Sequence, residues 1–216
     1  MQTLSRRFLA GAALSLISLW SALSAPPAGA IGRPVDLATM TERAGTIVSG
    51  RISQLRMGAH PKYQHIGALY VTVKVNDMMK GAPSDSITFM QFSGLAPQGI
   101  DARAVSTAQS LPDLPTYRVG EEIVLFLYPA SHVGFTSPVG GEQGKFLVRR
   151  TPGQPTTVVS TAGNRFLAVS GSVPSNLTPA QQKLLRKPGD SLDYQTFRAV
   201  VKQMAQTKKL IASPKP

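Results

Sequence analysis

The sequence predicts a mainly β protein: an antiparallel barrel with a short helix before it and helices after it. Short segments of alternating apolar and polar residues follow one another, separated by Gly, Pro and Asp turns. The run at 123–128 is apolar on both faces and indicates a central buried strand. After residue 177 the apolar residues recur at helical spacing, which indicates helices that dock on the sheet. A closed sheet has no exposed edges, an advantage in a chain without cysteine.

The elements are assigned from this alternation and from the turn residues between them. The first helix begins after Asp36, a suitable N-cap, and turns Leu37 and Met40 to one face. Gly58, Pro61 and Gly67 predict a loop at 56–67, and several prolines predict a long connection at 93–118. The predicted helices span 35–45, 178–187 and 191–209. The predicted strands span 46–55, 68–79, 86–92, 117–129, 144–150, 156–160 and 165–170.

The segment "YVTVKVNDMMKG" at 70–81 shows the alternation best. One face carries Val71, Val73 and Val75, which we expect to point inward against Val124 and Phe126. The other face carries Tyr70, Thr72 and Lys74, which we expect to be more exposed.

Residues 1–30 have the features of a cleavable export signal. Arg6 and Arg7 precede an uncharged apolar stretch, and Ala28-Gly29-Ala30 offers the small residues that a signal peptidase accepts. We expect a mature protein that begins at Ile31, without a transmembrane segment, in the periplasm or outside the cell. The alternative is an uncleaved anchor, because about 18 apolar residues can just span a bilayer. The mature chain divides into a barrel domain at 31–170 and a basic helical segment at 171–216.

The positive charge is concentrated in the C-terminal part. Residues 31–142 contain nine Lys or Arg and nine Asp or Glu, whereas residues 143–216 contain twelve Lys or Arg and only two Asp. A surplus of this kind suits an anionic partner or serves solubility alone. The candidate residues for an anionic partner are Lys183, Arg186, Lys187 and Lys202. Few aromatic residues stand among them, which argues against nucleic acid.

A metal site and a catalytic site are both poorly supported. His60 and His65, with Met57 nearby, could bind a soft metal ion, but no carboxylate stands between Glu42 and Asp77. The alternative is a solvated loop. Ser131 is directly followed by His132, and adjacent residues rarely have the geometry of a nucleophile and its base. The absence of cysteine excludes disulfides and thiolate chemistry, and no cofactor is expected.

Four segments in this order carry a resemblance: "AGTIVSGRI", "YVTVKVNDMMKG", "YRVGEEIVLFLYP" and "QGKFLV". The chain resembles a group of exported bacterial proteins over about residues 44–150. It is more distantly similar to netrin-like domains and the tissue inhibitors of metalloproteinases. The resemblance implies an OB-like barrel and a binding role. It transfers no inhibitory residue, because those inhibitors chelate zinc through an N-terminal cysteine and residue 31 is Ile.

These observations together predict an exported, non-enzymatic module that binds a protein or an anionic component of the cell envelope. The first alternative is a carrier of a small ligand or metal that uses the 56–67 loop. The second is an enzyme of a type that the motifs do not reveal.

Overall fold

The computed structural model describes residues 34–95, 114–161, 177–186 and 191–212. The helices are Leu37–Arg43 (α1), Pro179–Arg186 (α2) and Tyr194–Ala212 (α3), with a 3-10 turn at Gly141–Gly144. The strands are Thr46–Ala59 (β1), Ile66–Lys80 (β2), Ser86–Leu95 (β3), Glu122–Leu127 (β4), Lys145–Arg149 (β5), Thr157–Ser160 (β6) and Leu192–Asp193 (β7). The predicted strand at 165–170, residues 96–113 of the predicted connection and the predicted N-terminus at Ile31 lie outside these residues.

The seven strands form one antiparallel sheet in the order β3-β2-β1-β4-β5-β6-β7. β1 pairs with β2 on one side and with β4 on the other. The sheet continues from β2 to β3 on the first side and from β4 through β5 and β6 to β7 on the second. The fold is therefore mainly β, as predicted, but the sheet does not close into a barrel. The closest approach to closure is a single parallel bridge between Met90 of β3 and Phe135, in the loop after β4.

The sheet is buried on both faces where β1 and β4 meet, so the molecule has two core clusters. One cluster packs the helices against one face and contains Phe126, Phe146 and Phe197. The other lies on the opposite face and contains residues such as Val71, Val73 and Leu125. Every residue from Ile123 to Leu127 is buried, which confirms the prediction of a central buried strand.

The inward orientation of β2 is confirmed, but its predicted partners are wrong. Val71 and Val73 are fully buried, Val75 is half-buried, and Lys74 is exposed. The valines share their cluster with Ile123 and Leu125. Val124 and Phe126 point to the opposite face of β4 and pack with the helices.

β1 and β2 form a hairpin, and both strands are longer than predicted. The loop predicted at 56–67 is therefore shortened to residues 60–65. Met57 and Gly58 continue β1 and pair with Leu69 and Ala68 of β2. Asp36 caps α1 as predicted, since its side chain accepts a hydrogen bond of 2.8 Å from the Thr39 amide.

Helix α3 is fixed to the sheet by apolar packing and by one carboxylate. Phe197, Val200 and Val201 are fully buried. Asp77 of β2 accepts hydrogen bonds from Arg198 at 2.5 Å and from Lys202 at 2.7 Å. Burial acts to raise the pKa of Asp77, but these two cations outweigh it and hold the pKa below its ordinary value.

We expect Asp77→Asn to lower the free energy of unfolding by about 2 kcal/mol at neutral pH, because bonds to a charged partner are lost. A lowered folded-state pKa gives stability that is present above the ordinary carboxyl value of 3.8 and is lost as the pH falls through the folded value. The difference between wild type and variant should therefore shrink in acid. Urea unfolding at neutral and acidic pH measures it. Asp85→Asn is the control, because Asp85 is exposed. A difference that persists in acid would contradict this account.

Candidate functional site

The outward face of the first three strands forms a continuous polar surface. We call it the hairpin surface. It consists of Arg51, Ser53, Gln54, Arg56, Tyr70, Thr72, Lys74, Thr88 and Phe92, with Lys62 and Tyr63 at the hairpin turn. These side chains point away from the core because Ile52, Val73 and Phe89, their neighbours along the strands, point into it.

The charge of the hairpin surface is almost entirely positive. Arg51, Arg56, Lys62 and Lys74 are exposed, and the sequence has no carboxylate between Glu42 and Asp77. Arg51 forms an ion pair of 2.7 Å with Glu122 at the border of the surface. Within the described part of the chain, Arg56, Lys62 and Lys74 have no carboxylate within 4.0 Å, so their charge is available to a ligand.

Short polar side chains lie between the cations. The hydroxyl oxygens of Thr72 and Thr88 are 2.9 Å apart across β2 and β3. The Ser53 hydroxyl donates to the Thr72 carbonyl at 3.2 Å, and Gln54 lies opposite Thr72. A register shift between Ile52 and Gln54 turns both Ser53 and Gln54 outward.

Aromatic rings line one end of the surface. Phe92 is 48% exposed and contacts Phe135 edge-on, with their ring centroids 6.0 Å apart. Phe135 lies 5.0 Å from His60, which stacks on Tyr63 at 5.1 Å. On the neighbouring strands the Arg56 guanidinium lies 4.0 Å from the centroid of the Tyr70 ring. These contacts hold Phe92 and Tyr63 in fixed positions while leaving part of each ring accessible.

His60 is the centre of this aromatic group and is 3% exposed, so it is not part of a solvated loop. Its Nε2 lies 2.7 Å from the Val133 carbonyl oxygen, which can only accept, so Nε2 carries the proton. Its Nδ1 therefore accepts, from the amides of Lys62 at 3.1 Å and Tyr63 at 3.0 Å. A metal ion at either nitrogen would have to displace a bond that orders the turn.

The other two residues of the predicted metal site are differently placed. Met57 is buried in the core cluster that contains Val71 and Val73, and His65 is exposed. Within the described ranges, no group of three or more His, Cys, Asp or Glu side chains is arranged to hold a metal ion.

The predicted basic site is only partly described. Lys183 is exposed on α2, whereas Lys202 is half-buried and bound to Asp77. Arg186 is the last residue of α2, and its side chain lies outside the described part of the chain, as does Lys187. The structure thus leaves Lys183 available and assigns Lys202 to the docking of α3.

Glu121 and Glu122 are both engaged in ion pairs. Glu121 accepts from the buried Lys145 at 2.9 Å, and Glu122 binds Arg150 at 2.7 Å as well as Arg51. Lys145 also donates to the Thr116 carbonyl. Hydrogen bonds from Arg150, opposed by burial and assisted by Arg51, hold the pKa of Glu122 below its ordinary value. These pairs fasten β4 to β1 and β5.

A second polar group lies inside the core cluster that contains Val71 and Val73. The Tyr117 hydroxyl donates to Gln91 Oε1 at 3.1 Å, and burial, followed by the charges of Glu142 and Glu121, raises the Tyr117 pKa well above 10. Within the described residues, Gln91 Nε2 and Ser93 Oγ are buried without a hydrogen-bond partner. Tyr117 therefore remains a protonated donor, which suits a structural role better than acid–base catalysis.

A cavity of about 360 Å³ lies between β3 and the end of β4, where the sheet fails to close. Ile87 and Phe89 form one wall and Leu127 and Pro129 the other. None of the residues of the predicted 56–67 loop lines it.

No protein-family model matches the chain, and comparisons with curated proteins and with solved structures give no significant match. Among the described residues, no helix has both the length and the apolar character needed to cross a membrane.

The sequence prediction missed the hairpin surface, although one signal for it was present. The absence of carboxylates between Glu42 and Asp77 disfavours a metal site, but it also leaves the cations of this stretch without acidic neighbours in sequence. The same stretch contains five Lys or Arg, and its alternation places three of them on one face with Tyr70.

Proposed function

We propose that this chain is an exported, non-enzymatic binding module that contacts an anionic component of the cell envelope through the hairpin surface. The observation that carries the proposal is a set of exposed cations beside partly exposed aromatic rings. Within the described residues, three of these cations, Arg56, Lys62 and Lys74, have no carboxylate within 4.0 Å. The export part of the proposal is supported by the features of a cleavable signal in residues 1–30.

The electrostatics of the surface suit an extended anionic ligand. Arg56, Lys62 and Lys74 are exposed on strands and a turn that the core holds rigidly. Each Lys or Arg near an anionic lipid surface contributes about 1 kcal/mol, so several acting together give measurable attachment. Binding of this kind weakens with salt, because exposed charges are screened over about 8 Å at physiological ionic strength.

The proposal includes an OB-like topology of the strands. It is supported by the central position of β1, which pairs with β2 and β4 and has a register shift at Gly50. It is also supported by the parallel bridge from Met90 to Phe135, which brings the loop after β4 to the free edge of β3. This loop supplies Phe135, so the same arrangement builds the aromatic end of the hairpin surface.

The proposed function is tested by reversing charge at two places. Arg56→Glu with Lys74→Glu removes cations from the hairpin surface, and Arg118→Glu with Arg149→Glu makes the same change in net charge elsewhere. All four residues are exposed. Co-sedimentation with envelope fragments is measured at low and high salt.

We expect the hairpin variant to lose at least tenfold in affinity at low salt, and the control variant to bind nearly as wild type. Lys183→Glu tests the α2 candidate in the same assay. Equal binding of wild type and hairpin variant, with melting temperatures unchanged, would contradict the proposal.

A small-ligand carrier is the second candidate, because the cavity of about 360 Å³ falls within the size range of small-molecule sites. Native mass spectrometry of protein purified from its own envelope should then show a retained small molecule. A mass equal to that of the chain alone would count against this candidate.

A further inference from the structure

We propose that the anionic component is a linear acidic polysaccharide that lies along the strands of the hairpin surface. This inference rests on the proposed function and names its ligand class. It draws on three features: the spacing of the cations, the hydroxyl and amide groups between them, and the orientation of the rings.

The cations stand in rows across the sheet. Arg51 lies opposite Lys74, and Arg56 lies opposite Tyr70. The two rows are four residues apart on β2, which corresponds to about 13 Å along an extended strand. A stiff linear polymer on this face would meet positive charge at both rows, with Lys62 beyond the second.

The surface between the rows is suited to hydroxyl groups. Thr72, Thr88 and Gln54 offer donors and acceptors from three adjacent strands. Sugar hydroxyls can replace the water bound there and keep the hydrogen bonds. An acidic polypeptide has carboxylates for the cations but few hydroxyls for this part of the surface.

The rings suit the apolar faces of sugar rings. Phe92 presents 48% of its surface, and Phe135 supports it from the side at 6.0 Å. Tyr63 is partly exposed with the Lys62 ammonium 5.5 Å from its centroid. Rings held in place lose little entropy when a flat ligand stacks on them.

A lipid bilayer fits the surface less well. Within the described residues, the large apolar side chains that are well exposed are Phe92 and Val119. Interfacial attachment requires a continuous apolar face beside the cations, and one phenylalanine on a flat sheet does not provide it.

The test compares four probes: polygalacturonate, its neutral methyl ester, polyglutamate and vesicles of anionic phospholipid. Affinity for each is measured with wild type, with Phe92→Ser and with the control Val119→Ser, which removes an exposed apolar side chain elsewhere. Melting temperatures confirm that each variant is folded. We expect polygalacturonate to bind most tightly and its methyl ester to bind weakly. We expect Phe92→Ser to lose about tenfold in affinity for polygalacturonate alone, as a truncated aromatic contact does.

Each outcome separates the ligand class from the proposed function. If Phe92→Ser binds polygalacturonate as wild type does, or if polyglutamate or vesicles bind more tightly, the polysaccharide proposal is overturned while an anionic partner still stands. If the double reversal of Arg56 and Lys74 leaves all polyanion binding unchanged, the hairpin surface is not the site and both proposals fail.

Discussion

Val73→Asp is expected to destabilise the protein by about 4 kcal/mol or more, or to prevent folding. Val73 is fully buried and shares its core cluster with Ile123 and Leu125. A carboxylate there loses its hydration and gains no cation among those side chains. It must remain charged at high cost or take up a proton. Urea unfolding followed by circular dichroism measures the loss.

Lys74→Asp is the matched control for this substitution. Lys74 is the next residue on the same strand and points to solvent. Surface changes of this kind usually alter stability by no more than about 0.5 kcal/mol. Similar unfolding midpoints for Val73→Asp and Lys74→Asp would show that the orientation of β2 is wrong.

The sequence could predict which face of β2 is buried but not what that face contacts. Alternation along one strand separates Val71 and Val73 from Tyr70 and Lys74, because successive side chains point to opposite faces. It gives no such information for β4, which is apolar on both faces. The pairing with β1 decides that Leu125 shares a cluster with the valines and that Phe126 faces the helices.

The predicted end of β1 and start of β2 were wrong for a similar reason. Gly58 and the nearby Pro61 are loop residues by composition, yet β1 continues through Ala59 because β2 supplies a pairing partner at every position from Gln54 onward. The buried histidine follows from this. A strand that reaches residue 59 brings His60 to Val133, where both ring nitrogens find backbone partners.

Charge counts found the basic residues but not their partners. Lys202 belongs to the basic C-terminal segment, yet it binds Asp77, a residue 125 positions earlier in the chain. The hairpin shows the opposite case. Residues 31–142 contain equal numbers of basic and acidic residues, so this count does not reveal the cations of the hairpin surface. The carboxylates in the count lie on other elements or pair with other cations. Fold class and helix positions were therefore predictable, whereas the candidate site depended on long-range pairing.

Closure of the sheet also depended on information that local patterns do not contain. A barrel was predicted because an open sheet exposes its edges. The described structure instead covers the edge of β3 at one point, where the Thr136 amide donates to the Met90 carbonyl at 2.9 Å. Ile87, Thr88 and Phe89, which precede this point on β3, border the cavity.

Gly50→Ala is expected to cost about 3 kcal/mol, because an added methyl group has no room in the sheet. Its Cβ would meet the Lys74 carbonyl oxygen, a backbone atom that cannot move without disturbing β2, and would lie 2.7 Å from Val73 Cγ1. Gly58→Ala is the control on the same strand. There the closest atom is Arg56 Nη1 at 3.1 Å, the mobile end of a flexible side chain, and we expect a loss below about 1 kcal/mol.

The Gly50 substitution also tests the link between fold and surface. Gly50 follows a register shift after Ser49, and this shift sets the pairing of Arg51 with Lys74. Relief of the clash would displace β1 against β2 and separate these cations, so Gly50→Ala should lose affinity for polyanions even under conditions where it remains folded. Gly58→Ala serves as the control for unfolding only, because its added methyl group lies 3.1 Å from Arg56 Nη1, a cation of the hairpin surface. If Gly50→Ala matches wild type both in unfolding midpoint and in polyanion binding, then the close approach of β1 and β2 at this position is wrong, and with it the alignment on which the hairpin surface depends.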